Sequence, residues 1–234
     1  MQFYEELTLY ANFVSATLSI TIGLYLLWIW YRQENRINTD LPLLFGITFL
    51  AQAINRIILV LPLLGIEMTM ELFRIRVLVV SGSAIPMLAA LLQIWLHKRP
   101  KQHPRIAFLF LLYWCSVTLL SPTQDLVLVL VTPLILVFGT AMISTFAITW
   151  KTGRLQEVRS GLMVIALVIG MGGQVLQVPF TETSMFFIPD LLTAISLLGI
   201  TLALTNPWFK PEDIAPSDQP QIQYPVQEET SVSW

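Results

Sequence analysis

Two charged residues, Arg56 and Asp190, lie inside long apolar runs of this 234-residue sequence. A charge within the apolar core of a membrane is costly, so such residues are by default candidates for function. Arg56 precedes Gly65 by nine residues, which places it roughly 13 Å from the end of its helix at 1.5 Å per residue. Asp190 is roughly 8 Å inside the last run by the same measure, and an arginine head can extend along its helix. We therefore predict that the two side chains pair, or share a ligand, at one level of the membrane.

Further polar residues follow a helical spacing around this pair. Gln52, Asn55 and Arg56 share one helical face at positions i, i+3 and i+4. The third run begins with Arg74 and Arg76, which we expect to pair with nearby acids, contact lipid phosphate or help to bind an anion. The first run adds polar positions at Asn12, Ser15 and Ser19. The predicted ligand-binding residues are Gln52, Asn55, Arg56, Arg74, Gln174, Gln177, Asp190 and Thr193.

Two interpretations of these residues remain open. The charged pair can be a structural link that fastens the second apolar run to the seventh. Alternatively, the same residues read a ligand or an ion in the outer half of the protein. The glycines that accompany Gln174, among them Gly170 and Gly173, favour close helix packing, because small residues let helices approach each other.

The apolar runs around these residues are long enough to cross a membrane. Hydrophobic residues make up 55% of the chain and charged residues 12%, against about 25% charged residues in a soluble domain. A helix needs about 20 residues to cross the apolar core of a bilayer. The sequence therefore predicts an all-α, integral membrane seven-helix bundle over residues 1–208. Its spans lie at about 7–31, 41–65, 72–97, 106–120, 126–150, 161–180 and 185–205.

The basic residues predict how this bundle is oriented. Of the thirteen Lys and Arg residues, ten follow odd-numbered runs and none follows an even-numbered run. The ten are Arg32, Arg36, Lys98, Arg99, Lys101, Arg105, Lys151, Arg154, Arg159 and Lys210. The other side carries Glu5, Glu6, Glu67, Glu71, Asp125 and Glu182. Because basic loops stay in the cytoplasm, we predict an external N-terminus and a cytoplasmic C-terminus in the plasma membrane of a prokaryote.

Both ends of the chain fit this arrangement. The first run has Glu5 and Glu6 where a signal peptide has a basic segment, so we interpret it as a permanent span. Residues 209–234 are rich in proline and acidic residues, a composition that cannot bury enough apolar surface to fold alone. We predict a disordered cytoplasmic tail there.

The residues that would support catalysis or a cofactor are missing from the sequence. The only histidines, His97 and His103, are six residues apart and do not face each other across the bundle, which argues against a bis-histidine haem. No Cys, His, Asp or Glu residues have metal-ligand spacing, and the spans hold no acid pair or Ser/His/Asp set. We therefore predict a non-catalytic protein with no cofactor and no metal. No basic stripe indicates nucleic acid.

The topology resembles two groups of known proteins. Seven helices, an external N-terminus and short loops are similar to microbial rhodopsins, but the run 185–205 has no lysine for a retinal Schiff base, and Lys210 lies beyond it. The sequence also resembles the seven-helix sensor modules of prokaryotic histidine kinases, in length, in orientation and in its polar residues toward the outer side. That resemblance implies signalling through a separate partner, since no catalytic domain follows the spans.

We therefore expect a sensor or receptor-like protein in which a ligand from outside displaces helices. A small-solute or ion transporter or channel is the second interpretation, and an accessory subunit of a membrane complex is the third. The expected partners are the lipid bilayer and a protein in the cytoplasm or the membrane.

Overall fold

The computed structural model of the protein describes residues 2–33, 40–96, 98–153, 158–180 and 187–207. These residues form seven α-helices and two short 3-10 turns, without a strand among them. The helices are α1 (Gln2–Arg32), α2 (Leu41–Val60), α3 (Met70–Trp95), α4 (His103–Leu120), α5 (Gln124–Thr152), α6 (Ser160–Phe180) and α7 (Ile188–Thr205). Each predicted span overlaps one α-helix, so the all-α fold and the number of helices are confirmed.

Most of these helices match the dimensions of a bilayer. Helices α1 to α5 and α7 are long and apolar enough to cross a membrane. Helix α6 is also apolar, but its stretch Ser160–Leu176 is shorter than the other six. The chain is therefore a multi-pass α-helical membrane protein, and the crossing by α6 stays a prediction.

Local sequence explains where several helices begin and end. The hydroxyl groups of Thr69 and Thr123 accept hydrogen bonds from Leu72 N and Leu126 N, and so satisfy donors that a helix start leaves free. Gly153 follows α5 with φ of 64°, a left-handed conformation that glycine adopts without the penalty of a side chain. These ends lie in the predicted loops.

The helices pack in a ring with one helix outside it. Going around the ring, α1, α2, α3, α5, α6 and α7 contact in turn, and α7 returns to α1. Helix α4 lies outside, against α3 and α5. Helices α1 and α2 approach closely at Gly23 and Gly46, where a Cβ added to either residue would lie 3.1 or 3.2 Å from the backbone oxygen of the other.

Two apolar clusters fill different parts of the bundle. We call the end where α1, α3, α5 and α7 finish the basic end, and the opposite end the acidic end. The basic-end core fills the half near the basic end and is formed by Ile22, Leu26, Phe45, Phe49, Leu91, Met142, Phe146, Met163, Ala166, Leu197, Ile200 and Ala203. A smaller cluster joins α3, α4 and α5 near the acidic end through Phe73, Val77, Trp114, Val127 and Val131. The space between α1, α2 and α7 near the acidic end contains polar residues instead.

Some predictions concern residues outside the described ranges. The acidic tail, 209–234, is one of them. The others are the loop residues Arg36, His97, Arg154, Glu182 and Lys210. These predictions stay as they were made.

Candidate functional site

The centre of the polar region is an ion pair between α2 and α7. Nη1 of Arg56 donates a hydrogen bond to Oδ1 of Asp190, and the two side chains are only 2% and 6% exposed. Within the described parts of the chain no other salt bridge is present. Pairing removes much of the cost of placing each charge in an apolar environment. The predicted pairing of these residues is confirmed.

Asp190 lies closer to the end of its helix than the sequence suggested. Helix α7 begins at Ile188, so Asp190 is in its first turn. The predicted span starts near residue 185 and would have placed Asp190 more than one turn inside the helix. Backbone N–H groups in the first turn of a helix have no hydrogen-bond acceptor within the helix, and they carry partial positive charge. This position stabilises the carboxylate in addition to the guanidinium of Arg56.

Side chains of one further helix, α1, and of α7 itself add hydrogen bonds to the ion pair. From α1, Nδ2 of Asn12 donates to Oδ2 of Asp190 over 3.2 Å, and the Ser15 hydroxyl lies 3.5 Å from the Asp190 backbone oxygen. Within α7, Thr193 Oγ1 accepts from Nη2 of Arg56 over 3.1 Å and donates to the backbone oxygen of Pro189 over 2.8 Å. One carboxylate and its neighbours thus connect α1, α2 and α7.

Helix α3 joins the same level through Asn55 and Arg76. Nε of Arg76 donates to Oδ1 of Asn55 over 3.0 Å, and Asn55 is buried. Asn55 directly precedes Arg56 along α2, so this hydrogen bond brings Arg76 to the level of Arg56. Arg76 was absent from the predicted site residues. Two positions along a helix correspond to 200°, so the sequence shows that Arg76 and Arg74 point in opposite directions but not which of them faces the interior.

The structure does not bring Arg74 to this cluster. Its Nη2 donates over 3.1 Å to the backbone oxygen of Ser121, the residue that ends α4. A cation at a helix C-terminus satisfies a free carbonyl and complements the helix dipole. The expected pairing of Arg74 or Arg76 with Glu67 or Glu71 is not found among the described residues.

Gln174 and Gln52 are more exposed than core residues on the same faces of their helices. Gln174 follows Met163 by eleven residues on α6, close to three whole turns, so the two side chains point in the same direction. Met163 is fully buried in the basic-end core, whereas Gln174 is exposed. Similarly, Gln52 follows the buried Phe45 by two turns and is only half-buried. On these two helix faces, side chains are thus buried near the basic end and more exposed near the acidic end. Gln177 is in α6, and its side chain lies outside the described part.

The glycines of α6 pack against α7, as the sequence predicted. A Cβ on Gly170 would overlap the Ser196 hydroxyl, and one on Gly173 would lie 3.1 Å from the backbone oxygen of Pro189. The Ser196 hydroxyl donates to the backbone oxygen of Ala166 over 2.7 Å. Close packing of α6 thus supports the segment of α7 that carries Asp190 and Thr193.

These features define an α-helical multi-pass membrane protein with a buried ionic network in one half of its bundle. Comparison of the chain with protein-family models, with curated proteins and with solved structures finds no match. The resemblances to rhodopsins and to kinase sensor modules therefore stay predictions.

Proposed function

We propose that the protein is a non-catalytic membrane sensor or receptor-like protein that binds its ligand in the polar half of the bundle. One contrast supports this function. Polar and charged side chains from α1, α2, α3 and α7 meet near the acidic end, whereas the basic-end core fills the other half with apolar side chains from six helices. A ligand can therefore enter from one side and has no polar route onward.

The network provides a way to convert binding into helix displacement. Asp190 holds α7 to both α1 and α2 through Asn12 and Arg56. A ligand that takes over hydrogen bonds of Arg56 weakens its bond to Asp190, and so favours a second arrangement of α7. Such a ligand shifts the equilibrium because it binds the two arrangements with different affinity.

We further propose that the acidic end faces outward. The exposed Glu67, Glu71 and Asp125 lie near this end, and the exposed Lys98, Arg99, Lys101 and Arg105 lie near the basic end. This distribution follows the positive-inside rule. The proposed topology therefore has seven crossings of a prokaryotic plasma membrane, an external N-terminus and a cytoplasmic C-terminus. A protein in the cytoplasm or in the membrane then receives the signal.

The alternative function, transport of a small solute or ion, requires polar groups along both halves of the bundle. Buried hydroxyl groups in the basic-end half instead donate to backbone carbonyls, as Thr48 does to Leu44 and Thr149 to Phe146. Hydroxyls used in this way are less available to a permeating solute. We therefore favour sensing over transport.

Cysteine accessibility tests this proposal. In a Cys115→Ser background, Gln174→Cys and Leu91→Cys probe the open half and the basic-end core, while Glu67→Cys and Lys101→Cys mark the two ends. A membrane-impermeant maleimide applied to intact cells is expected to label Gln174→Cys and Glu67→Cys only. In everted vesicles, Lys101→Cys alone is expected to react.

Two outcomes would contradict the proposal. Labelling of Leu91→Cys would show a water path through the basic-end core and would favour transport. Labelling of Lys101→Cys in intact cells would reverse the orientation.

A further inference from the structure

Near the acidic end, the described part of the bundle interior holds two guanidinium groups, Arg56 and Arg76, against one carboxylate, Asp190. Arg56 is neutralised by Asp190, and Arg74 binds the C-terminal end of α4 through Ser121. Arg76 has one hydrogen bond among the described residues, to the neutral side chain of Asn55, and so lacks even the partial negative charge that the end of α4 offers to Arg74. A cation without a counter-charge is costly within a membrane span. The site therefore favours an added anion.

The direction of Arg76 places this charge in the interior of the bundle. Met87 follows Arg76 by eleven residues, so both side chains point the same way from α3. Met87 packs against the basic-end core, which identifies this direction as inward. Arg76 nevertheless remains only half-buried, as expected at the accessible end of the interior.

Donors at this level remain free for a ligand. Nε of Arg56 is fully buried and has no hydrogen-bond partner among the described residues. The terminal nitrogens of Arg76 have no acceptor there either, since Asn55 binds only its Nε. An unmet buried donor lowers stability, and a guanidinium binds carboxylate and phosphate groups through two parallel N–H donors.

We propose that this site binds an oxyanion, a carboxylate or phosphate group, on the terminal nitrogens of Arg76. The bound anion lies next to Arg56, where it relieves the repulsion between the two guanidinium groups and competes with Asp190. This inference rests on the proposed sensor function, for which it names the chemical class of the ligand.

The oxyanion can come from two sources with the same chemistry. A dissolved anion can enter from the acidic end, or the phosphate of a lipid headgroup can reach Arg76 from the membrane surface. The experiment uses full-length protein in dodecyl maltoside, a detergent without phosphate, and follows thermal unfolding by tryptophan fluorescence. Sodium acetate and sodium phosphate are titrated at constant ionic strength, with sodium chloride as the balancing salt. A second arm compares phosphatidylglycerol bilayers with phosphate-free galactolipid bilayers.

Matched variants on one helix separate a site from general electrostatics. Arg76→Gln and Arg74→Gln remove the same charge two positions apart on α3, but only Arg76 points into the interior. Acetate or phosphate is expected to raise the unfolding temperature of the wild type and of Arg74→Gln. Arg76→Gln is expected to bind acetate or phosphate at least about tenfold more weakly than the wild type, since it loses charge-assisted hydrogen bonds. Arg76→Lys keeps the charge without the paired donors, so an intermediate affinity is expected.

Each outcome gives a clear result. An Arg76-dependent rise in the unfolding temperature that occurs only in phosphatidylglycerol bilayers supports the oxyanion site. It also identifies lipid phosphate as the source of the anion. Equal responses of Arg76→Gln and Arg74→Gln, or no response in either arm, would overturn the inference. The outcome is separable from the sensor proposal, because Arg76-dependent binding together with a labelled Leu91→Cys would retain the site and reject sensing. An unlabelled Leu91→Cys without an anion response would reject only the site.

Discussion

Arg56 of α2 and Asp190 of α7 form a buried ion pair although they are 134 positions apart in the sequence. The carboxylate also accepts a hydrogen bond from Asn12 of α1, so it connects three helices. A pair in this environment is held together partly because separating it would leave each charge buried alone. The energetic consequence of that arrangement can be measured.

Removing either Arg56 or Asp190 alone should destabilise the protein strongly. Removing both should cost less than the two single losses added together. Arg56→Gln or Asp190→Asn is each expected to lower the free energy of unfolding by about 3–5 kcal/mol, because the remaining charge has no partner. The double variant is expected to lose less than the sum, with a coupling energy of about 1–3 kcal/mol. Unfolding of the purified protein by dodecyl sulfate in mixed micelles measures these values.

The control for this cycle is Lys101→Gln, an exposed residue near the basic end. It is expected to change the free energy of unfolding by less than about 0.5 kcal/mol. Strictly additive effects of the two substitutions in the pair would show that they are not coupled in the membrane protein.

Thr193 should contribute through its hydroxyl and not through its shape. Its Oγ1 accepts from Nη2 of Arg56 and donates to the backbone oxygen of Pro189. Thr193→Val keeps the volume but removes both bonds, and is expected to cost about 1–2 kcal/mol in the same unfolding measurement. Thr193→Ser retains the hydroxyl and is the matched control. A serine variant as unstable as the valine variant would assign the role to packing.

The sequence predicts the ion pair well, because helix rise and a few charges in apolar runs restrict which residues can meet. Arg56 and Asp190 fall at compatible depths in the second and seventh predicted spans, and they carry opposite charges. The helix start at Ile188 changes the depth of Asp190 but not its partner. The helix count follows from the same reasoning, since apolar run length is a strong constraint.

The sequence does not predict which face of each helix points toward its neighbours. Arg74 and Arg76 are two positions apart, yet one contacts Ser121 at the end of α4 and the other contacts Asn55 of α2. In a membrane both the lipid-facing and the protein-facing sides are apolar, so the pattern of apolar residues does not identify the inner face. The peripheral position of α4 and the contact of Asn12 with Asp190 depend on that missing information.

The link between α3 and α4 should depend on Trp114. Its side chain is fully buried, and Nε1 donates to the backbone oxygen of Val77 over 3.0 Å. Trp114→Phe removes this bond and part of the buried ring, and is expected to cost about 1–3 kcal/mol. Amide hydrogen exchange is expected to increase in α4 first, since α4 lies outside the ring. Phe108→Leu, at an exposed position of the same helix, should leave exchange in α4 nearly unchanged.

Gly173 and Gly172 provide a matched test of the contact that positions Asp190. A Cβ on Gly173 would lie 3.1 Å from the backbone oxygen of Pro189 and 3.2 Å from Cβ of Leu192, whereas one on Gly172 would meet nothing within 4 Å. Gly173→Ala should therefore force α6 and α7 apart and cost about 1–3 kcal/mol. Gly172→Ala should be neutral or stabilising by up to about 1 kcal/mol, because alanine favours the helix.

The same pair tests whether packing on α6 reaches the ionic network. The Pro189 oxygen accepts from Thr193, which in turn binds Arg56, so a displacement at Gly173 is transmitted to the ion pair. The coupling energy between Arg56 and Asp190 is therefore expected to fall in a Gly173→Ala background and to stay unchanged in a Gly172→Ala background. An unchanged coupling energy in both backgrounds would show that the network holds its geometry without support from α6.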